Sequence, residues 1–116
     1  MSEERRDSVL MRQQPNKLVR DRIPDIIRQS GKQCEVAVMA EAEFRQALRE
    51  KLLEEAGEVA AASLENLVSE LADLQEVIDA LLKVYGIERE AIAKEQRRKR
   101  TERGSFEQRL RLLWFD

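Results

Sequence analysis

Residues Glu41 to Tyr85 read EAEFRQALREKLLEEAGEVAAASLENLVSELADLQEVIDALLKVY, and this stretch decides the fold. From Glu41 to Ala62 there is no proline and one glycine, Gly57, among residues dominated by Ala, Leu, Glu and Arg. Such residues lose little side-chain freedom in a helix, so the segment predicts one. Ser63 to Asn66 is the expected break. Leu67 to Tyr85 predicts a second helix, stopped by Gly86, with an apolar stripe of Leu67, Leu71, Leu74, Ile78, Leu81 and Tyr85. So short a break makes the two helices antiparallel neighbours.

Working outward, Glu88 to Arg103 predicts a third long helix with Gly104 at its end. Upstream, Asp21 is expected to cap a short helix with Pro24 in its first turn. That helix would bury Ile23, Ile26 and Ile27 and stop at Ser30-Gly31. Cys34 to Met39 alternates and is rich in β-branched residues, which predicts a strand. Its only candidate partner is Leu110 to Phe115. Residues 1–14 are polar without periodicity and are expected to form a loose tail. The expected fold is mainly α: an antiparallel helical bundle over 15–116, a short two-stranded N-/C-terminal β pairing, and a core completed by oligomerisation.

Composition narrows the chemistry. The chain has 116 residues, 42% apolar and 38% charged. Charge this dense suits solvated helices whose core is finished by a second copy. No apolar run approaches the roughly 18 residues of a membrane span, and no apolar stretch follows the charged N-terminus as in a signal peptide. One cysteine, Cys34, makes no internal disulfide, which fits the cytoplasm. There is no histidine. Ser-His-Asp triads, Cys-His dyads and histidine-based zinc sites are therefore excluded. Charge is also segregated: Cys34 to Leu82 carries 12 Asp/Glu and 3 Lys/Arg, whereas the flanks carry 8 and 10 Lys/Arg. An acidic centre between basic flanks suits a metal–phosphate ligand, although plain segregation of charge along helices gives the same pattern.

Two carboxylate pairs stand in that centre, Glu55-Ala56-Gly57-Glu58 with Glu54 ahead of it, and Glu70-Leu71-Ala72-Asp73. Residues i and i+3 share a helix face, so each pair offers oxygens side by side. At about 100° per residue, Glu55 falls about 20° from Phe44, inside the arc of Leu48, Leu52 and Val59, with Glu58 at its edge. Glu70 falls between Leu81 and Val77, with Asp73 at the rim. A buried, unpaired carboxylate costs several kcal/mol, so something cationic must offset each one. Salt bridges to arginine or lysine are one solution, but the acidic centre has only Arg45, Arg49 and Lys51, all before the first motif. Rotated helices with solvated glutamates are another. The preferred reading is four carboxylates around Mg2+, a hard ion that takes oxygen ligands. Gly57 would leave room beside that cage. Paired glycosidase carboxylates fit less well, because nothing here builds a sugar cleft.

Glu54-Glu55-Ala56-Gly57-Glu58 followed by Glu70-Leu71-Ala72-Asp73 resembles the metal signature of the all-α nucleoside triphosphate pyrophosphohydrolase (MazG-like) superfamily. Asn16-Lys17-Leu18-Val19-Arg20-Asp21-Arg22-Ile23-Pro24 and Glu102-Arg103-Gly104-Ser105-Phe106 resemble the ends of its small phosphoribosyl-ATP pyrophosphohydrolase-like branch, with Ser105 in place of an expected glycine. The resemblance covers about residues 15 to 112. It implies a helical homodimer or homotetramer that uses Mg2+, with Mn2+ able to substitute. The implied reaction cleaves the bond between the α- and β-phosphates of a nucleoside triphosphate, giving a monophosphate and pyrophosphate. By motif position, Glu55, Glu58, Glu70 and Asp73 take the metal-ligand roles. Glu54 or Glu55 would orient the attacking water or accept its proton. Lys17, Arg20, Arg22, Lys99 and Arg103 would bind phosphate oxygens, or else be solvated helix faces.

Three rival functions stay in view. The run Arg97-Arg98-Lys99-Arg100 suits a nucleic-acid patch, but Glu95 and Glu102 flank it and the net charge is −2. A non-enzymatic helical adaptor would explain the Leu67 to Tyr85 stripe but not the glutamates set within it. Within the superfamily, the alternative to house-cleaning of non-canonical nucleotides is hydrolysis of phosphoribosyl-ATP in histidine synthesis.

Overall fold

The computed structural model describes residues 12–116. The expected tail at 1–14 therefore lies almost wholly outside the described residues. Among the described residues four helices follow in order: α1 (Ile23–Gln29), α2 (Glu41–Ala61), α3 (Leu67–Tyr85) and α4 (Arg89–Arg103). No strand occurs among the described residues.

Helix α2 starts at Ala40, whose backbone is extended and which supplies no side-chain cap. Glu41 and Glu43 in its first turn complement the positive end of the helix dipole instead. Helix α3 ends where the chain turns left-handed at Gly86, with φ 66° and ψ 33°. The Ile87 N–H donates back to the Leu82 carbonyl at 2.8 Å, the six-to-one bond of a Schellman turn.

Contacts fix how α2 and α3 run. Arg45 and Arg49, early in α2, stack their guanidinium groups 4.9 and 5.3 Å from the Tyr85 ring centre at the end of α3. Glu55, late in α2, meets Glu70 and Asp73, early in α3. The helices are therefore antiparallel, joined by the short turn at 62–66. Leu48 and Val77 are buried between them, flanked by half-buried Phe44, Leu52, Val59, Leu74, Ile78 and Leu81.

Several expectations are corrected. The bundle within one protomer is essentially the α2–α3 pair. Helix α4 is tied back by Arg89 to Asp79 at 2.9 Å, and its residues are exposed apart from a half-buried Ala93. The two-stranded pairing is not formed: no backbone hydrogen bond joins 34–39 to 110–115, and Val38 is 99% exposed. Alternation suits a strand, but a lone strand has no ladder to satisfy its backbone. Asp21 does not cap α1. The cap position is Arg22, without a side-chain bond, and Pro24 sits in the first turn as expected. Ile23 and Ile27 are half-buried, but Ile26 is exposed. Leu71 likewise lies off the buried side of α3, which is centred on Val77. No helix among the described residues is long and apolar enough to cross a membrane.

Candidate metal centre

The α2–α3 hairpin brings three carboxylates together. One oxygen from each of Glu55, Glu70 and Asp73 lies within 4.8 Å of the others, and all three residues are half-buried. The cause is local. Glu55 lies one helical turn beyond Leu52, and Glu70 and Asp73 each precede buried Val77 by one or two turns. Packing the apolar side chains therefore draws the carboxylates to the seam. Glu58, the fourth expected ligand, lies one turn further along α2 and is exposed. It is not part of the triad, although its charge still acts on Glu70.

Each carboxylate has different company. Lys51 reaches Glu55 at 3.6 Å and Glu54 at 3.5 Å from the preceding turn of the same helix. Lys17 donates to Glu54 at 2.9 Å, and Arg20 to Asp73 at 2.7 Å. Glu70 has no ion-pair partner among the described residues. Its pKa is raised, first by burial and then by the charges of Asp73, Glu58 and Glu55. Glu54 shifts the other way, held down mainly by its hydrogen bond from Lys17.

These directions set a pH dependence. Glu70 contributes stability when protonated, fully present below its ordinary value of 4.5 and lost as the pH rises through its raised folded value. Glu54 contributes above 4.5 and loses that contribution as the pH falls through its lowered folded value. In EDTA, Glu70→Gln should melt above wild type at pH 7, and the difference should close as the pH falls toward 4.5. Thermal melts across that range check it; a pH-independent difference would contradict the charge argument.

The donor set fits a hard divalent cation. It is all carboxylate oxygen, with no sulfur or imidazole. Around Mg2+, with bonds of about 2.1 Å, ligand oxygens stand about 3 to 4 Å apart, so modest side-chain rotation brings this triad to chelating distance. Gly57 plays no crowding role within the protomer, since a Cβ there would meet nothing within 4 Å.

The expected phosphate binders divide. Lys17 and Arg20 lie on the carboxylates. Arg22 is exposed at the start of α1 with no ion pair among the described residues. Lys99 and Arg103 are on α4, and no hydrogen bond or ion pair joins them to the cluster. Arg103 lines a separate groove with Arg100 and Phe106. Half of the basic run is paired, Arg97 with Glu90 and Arg98 with Glu95 and Glu102, which weakens the nucleic-acid reading. Lys51 precedes the first motif, yet it pairs with both glutamates of that motif's opening. Its spacing of three and four residues to Glu54 and Glu55 is the signal that identifies it.

Beside the cluster, a groove of about 420 Å³ opens between the N-terminal segment and α2. Leu18, Met39 and Ala47 line its apolar part, and Lys17, Lys51 and Glu54 connect it to the carboxylates.

A family model described as phosphoribosyl-ATP pyrophosphohydrolase matches residues 24–109. No curated protein and no solved structure matches the chain significantly.

Proposed function

Because the chain belongs to the phosphoribosyl-ATP pyrophosphohydrolase family of MazG-like all-α enzymes, which hydrolyse acid anhydrides, we propose that it is a Mg2+-dependent nucleoside triphosphate pyrophosphohydrolase. The observation that carries this reading is the carboxylate triad drawn from both motifs, in a chain with no histidine. Glu55, Glu70 and Asp73 would hold the ion, with Glu58 able to join from the next turn. Bound there, a divalent ion would supply positive charge for the polyphosphate and acidity for the attacking water. Glu54, bonded to Lys17, or Glu55 beside it in the sequence would orient that water or accept its proton. Water adds at a phosphorus of the α–β bridge, the bridging bond breaks, and pyrophosphate and a monophosphate leave. Lys17, Arg20 and Arg22 would take phosphate oxygens as the substrate enters, and the neighbouring groove has room for a nucleoside.

A house-cleaning role toward non-canonical nucleotides is the reading we favour. Phosphoribosyl-ATP hydrolysis is the second, favoured by the description of the matching family model. Lys99 and Arg103 would serve the site only across a homodimer or homotetramer. A cytoplasmic, single-domain protein over 15–116 completes the proposal. A panel of canonical and damaged triphosphates, with phosphoribosyl-ATP beside them, tests it by pyrophosphate release with Mg2+ and with EDTA. Release from at least one substrate, lost in EDTA, is expected. No release from any, together with no thermal stabilisation by Mg2+ or Mn2+, would favour the adaptor.

A further inference from the structure

Two cations reach the carboxylates from far along the chain. Lys17 lies 37 residues before Glu54, and Arg20 lies 53 before Asp73. The backbone is shaped to deliver them. Asn16 adopts a left-handed conformation, φ 47°, which asparagine tolerates better than most residues, and the chain turns there just before Lys17. Arg20 is held at the entry to α1 by its own carbonyl, which accepts from the Ile23 N–H at 3.1 Å. Both pairs remain solvated: the Lys17 and Arg20 side chains are 52% and 56% exposed. Exposed pairs of this kind are weak and exchange readily. A guanidinium bonded to a carboxylate also has the geometry to bond a phosphate instead.

We propose that Lys17 and Arg20 are resident counter-ions of the carboxylate site, which neutralise Glu54 and Asp73 and change partners when a metal–polyphosphate binds. The proposal rests on the metal-hydrolase reading above and adds an order of events to it. A bare divalent cation must compete with Arg20 for the Asp73 oxygen. A cation that arrives with a polyphosphate brings the replacement partner with it, so Arg20 leaves Asp73 for a phosphate oxygen and the competition disappears. Metal and polyphosphate therefore favour each other's binding, and by linkage the coupling is reciprocal. The site would take the metal–nucleotide complex in preference to the metal alone. Lys51 differs in reaching Glu54 and Glu55 from the preceding turn of the same helix, so its backbone stays beside them whatever binds.

The test uses the full chain stripped with EDTA and titrated calorimetrically with Mn2+ alone, then with Mn2+–pyrophosphate. The variants are Lys17→Gln with Arg20→Gln, and Arg12→Gln with Lys32→Gln, which likewise removes two positive charges from the N-terminal region without breaking a pair among the described residues. The double variant should bind Mn2+ about three- to fivefold tighter, the size expected for removing weak exposed competitors. It should bind Mn2+–pyrophosphate at least about tenfold weaker, since charge-assisted bonds to phosphate are lost. Arg12→Gln with Lys32→Gln should leave Mn2+ affinity within about twofold of wild type, as expected for unpaired exposed charges. Weaker binding of both ligands to the double variant would mean a structural role for the pairs and overturn the proposal. Equal tightening of Mn2+ by Arg12→Gln with Lys32→Gln would mean diffuse charge and overturn it too. If wild type binds no Mn2+ under any condition, the metal-site reading itself fails, which is a different result from either.

Discussion

Asp73→Asn and Glu70→Gln should each lower pyrophosphate release by at least the roughly 10–100-fold expected when even an outer partner of a metal ligand is lost. Both substitutions keep the side chain's shape and remove one negative charge from the triad. A 100-fold loss corresponds to about 2.7 kcal/mol of transition-state stabilisation. The two variants part company in EDTA. Glu70 has no cation beside it among the described residues and is crowded by Asp73, Glu58 and Glu55. Neutralising it relieves the cost of burying its charge and the repulsion, and breaks no ion pair, so Glu70→Gln should melt higher than wild type. Asp73 also feels that repulsion but accepts from Arg20 at 2.7 Å. Losing an exposed pair worth up to about 1 kcal/mol offsets the relief, so Asp73→Asn should melt close to wild type. Steady-state pyrophosphate release and calorimetric melts in EDTA check both halves. Full activity in Asp73→Asn, with a lowered melting point, would make that carboxylate a structural partner of Arg20 and remove the basis of the proposed mechanism.

Helix periodicity made the seam legible because one physical rule governs both its apolar and its acidic positions. The spacing of Leu48, Leu52 and Val59 placed Glu55 inside an apolar arc, and it is half-buried there. Gly86 ended α3 at the residue expected, because a left-handed turn after an apolar stripe favours glycine. What periodicity does not encode is long-range pairing. Lys17 and Arg20 carried a signal for phosphate, and nothing local says that they meet Glu54 and Asp73. The strand reading of Cys34 to Met39 failed for a related reason: alternation reports that a segment can sit half-buried on a sheet, while the sheet itself depends on a partner strand. Burial within each arc was also only partly legible. Whether Leu71 or Val77 faces inward depends on a rotation of α3 by a fraction of a turn, and the apolar residues on either side permit both.

Leu48→Ala should lower the melting point by about 10 °C, and the melting point of wild type itself should rise with protein concentration. Leu48 is 2% exposed and Val77 8%, and they are the only buried apolar residues among those described. Truncating a core leucine costs about 2–5 kcal/mol, which is a large part of the 5–15 kcal/mol that stabilises a typical domain. At about 4 °C per kcal/mol for a chain of this size, the expected shift follows. Two buried side chains do not offset the conformational entropy of more than 100 ordered residues. Meanwhile Ile92, Phe106, Leu110, Leu112, Leu113, Trp114 and Phe115 are exposed on α4 and the segment after it. A homodimer or homotetramer that buries part of that surface would complete the core, and would be the means by which Lys99 and Arg103 approach a carboxylate site. Folding is then linked to association. For a dimer, each tenfold rise in concentration adds about 1.4 kcal/mol per mole of dimer, or about 3 °C in melting point. Melts over a hundredfold concentration range and sedimentation equilibrium check this together. A monomer at every concentration, with an unchanging melting point, would mean that the α2–α3 pair is stable alone and that α4 contributes nothing from a second copy.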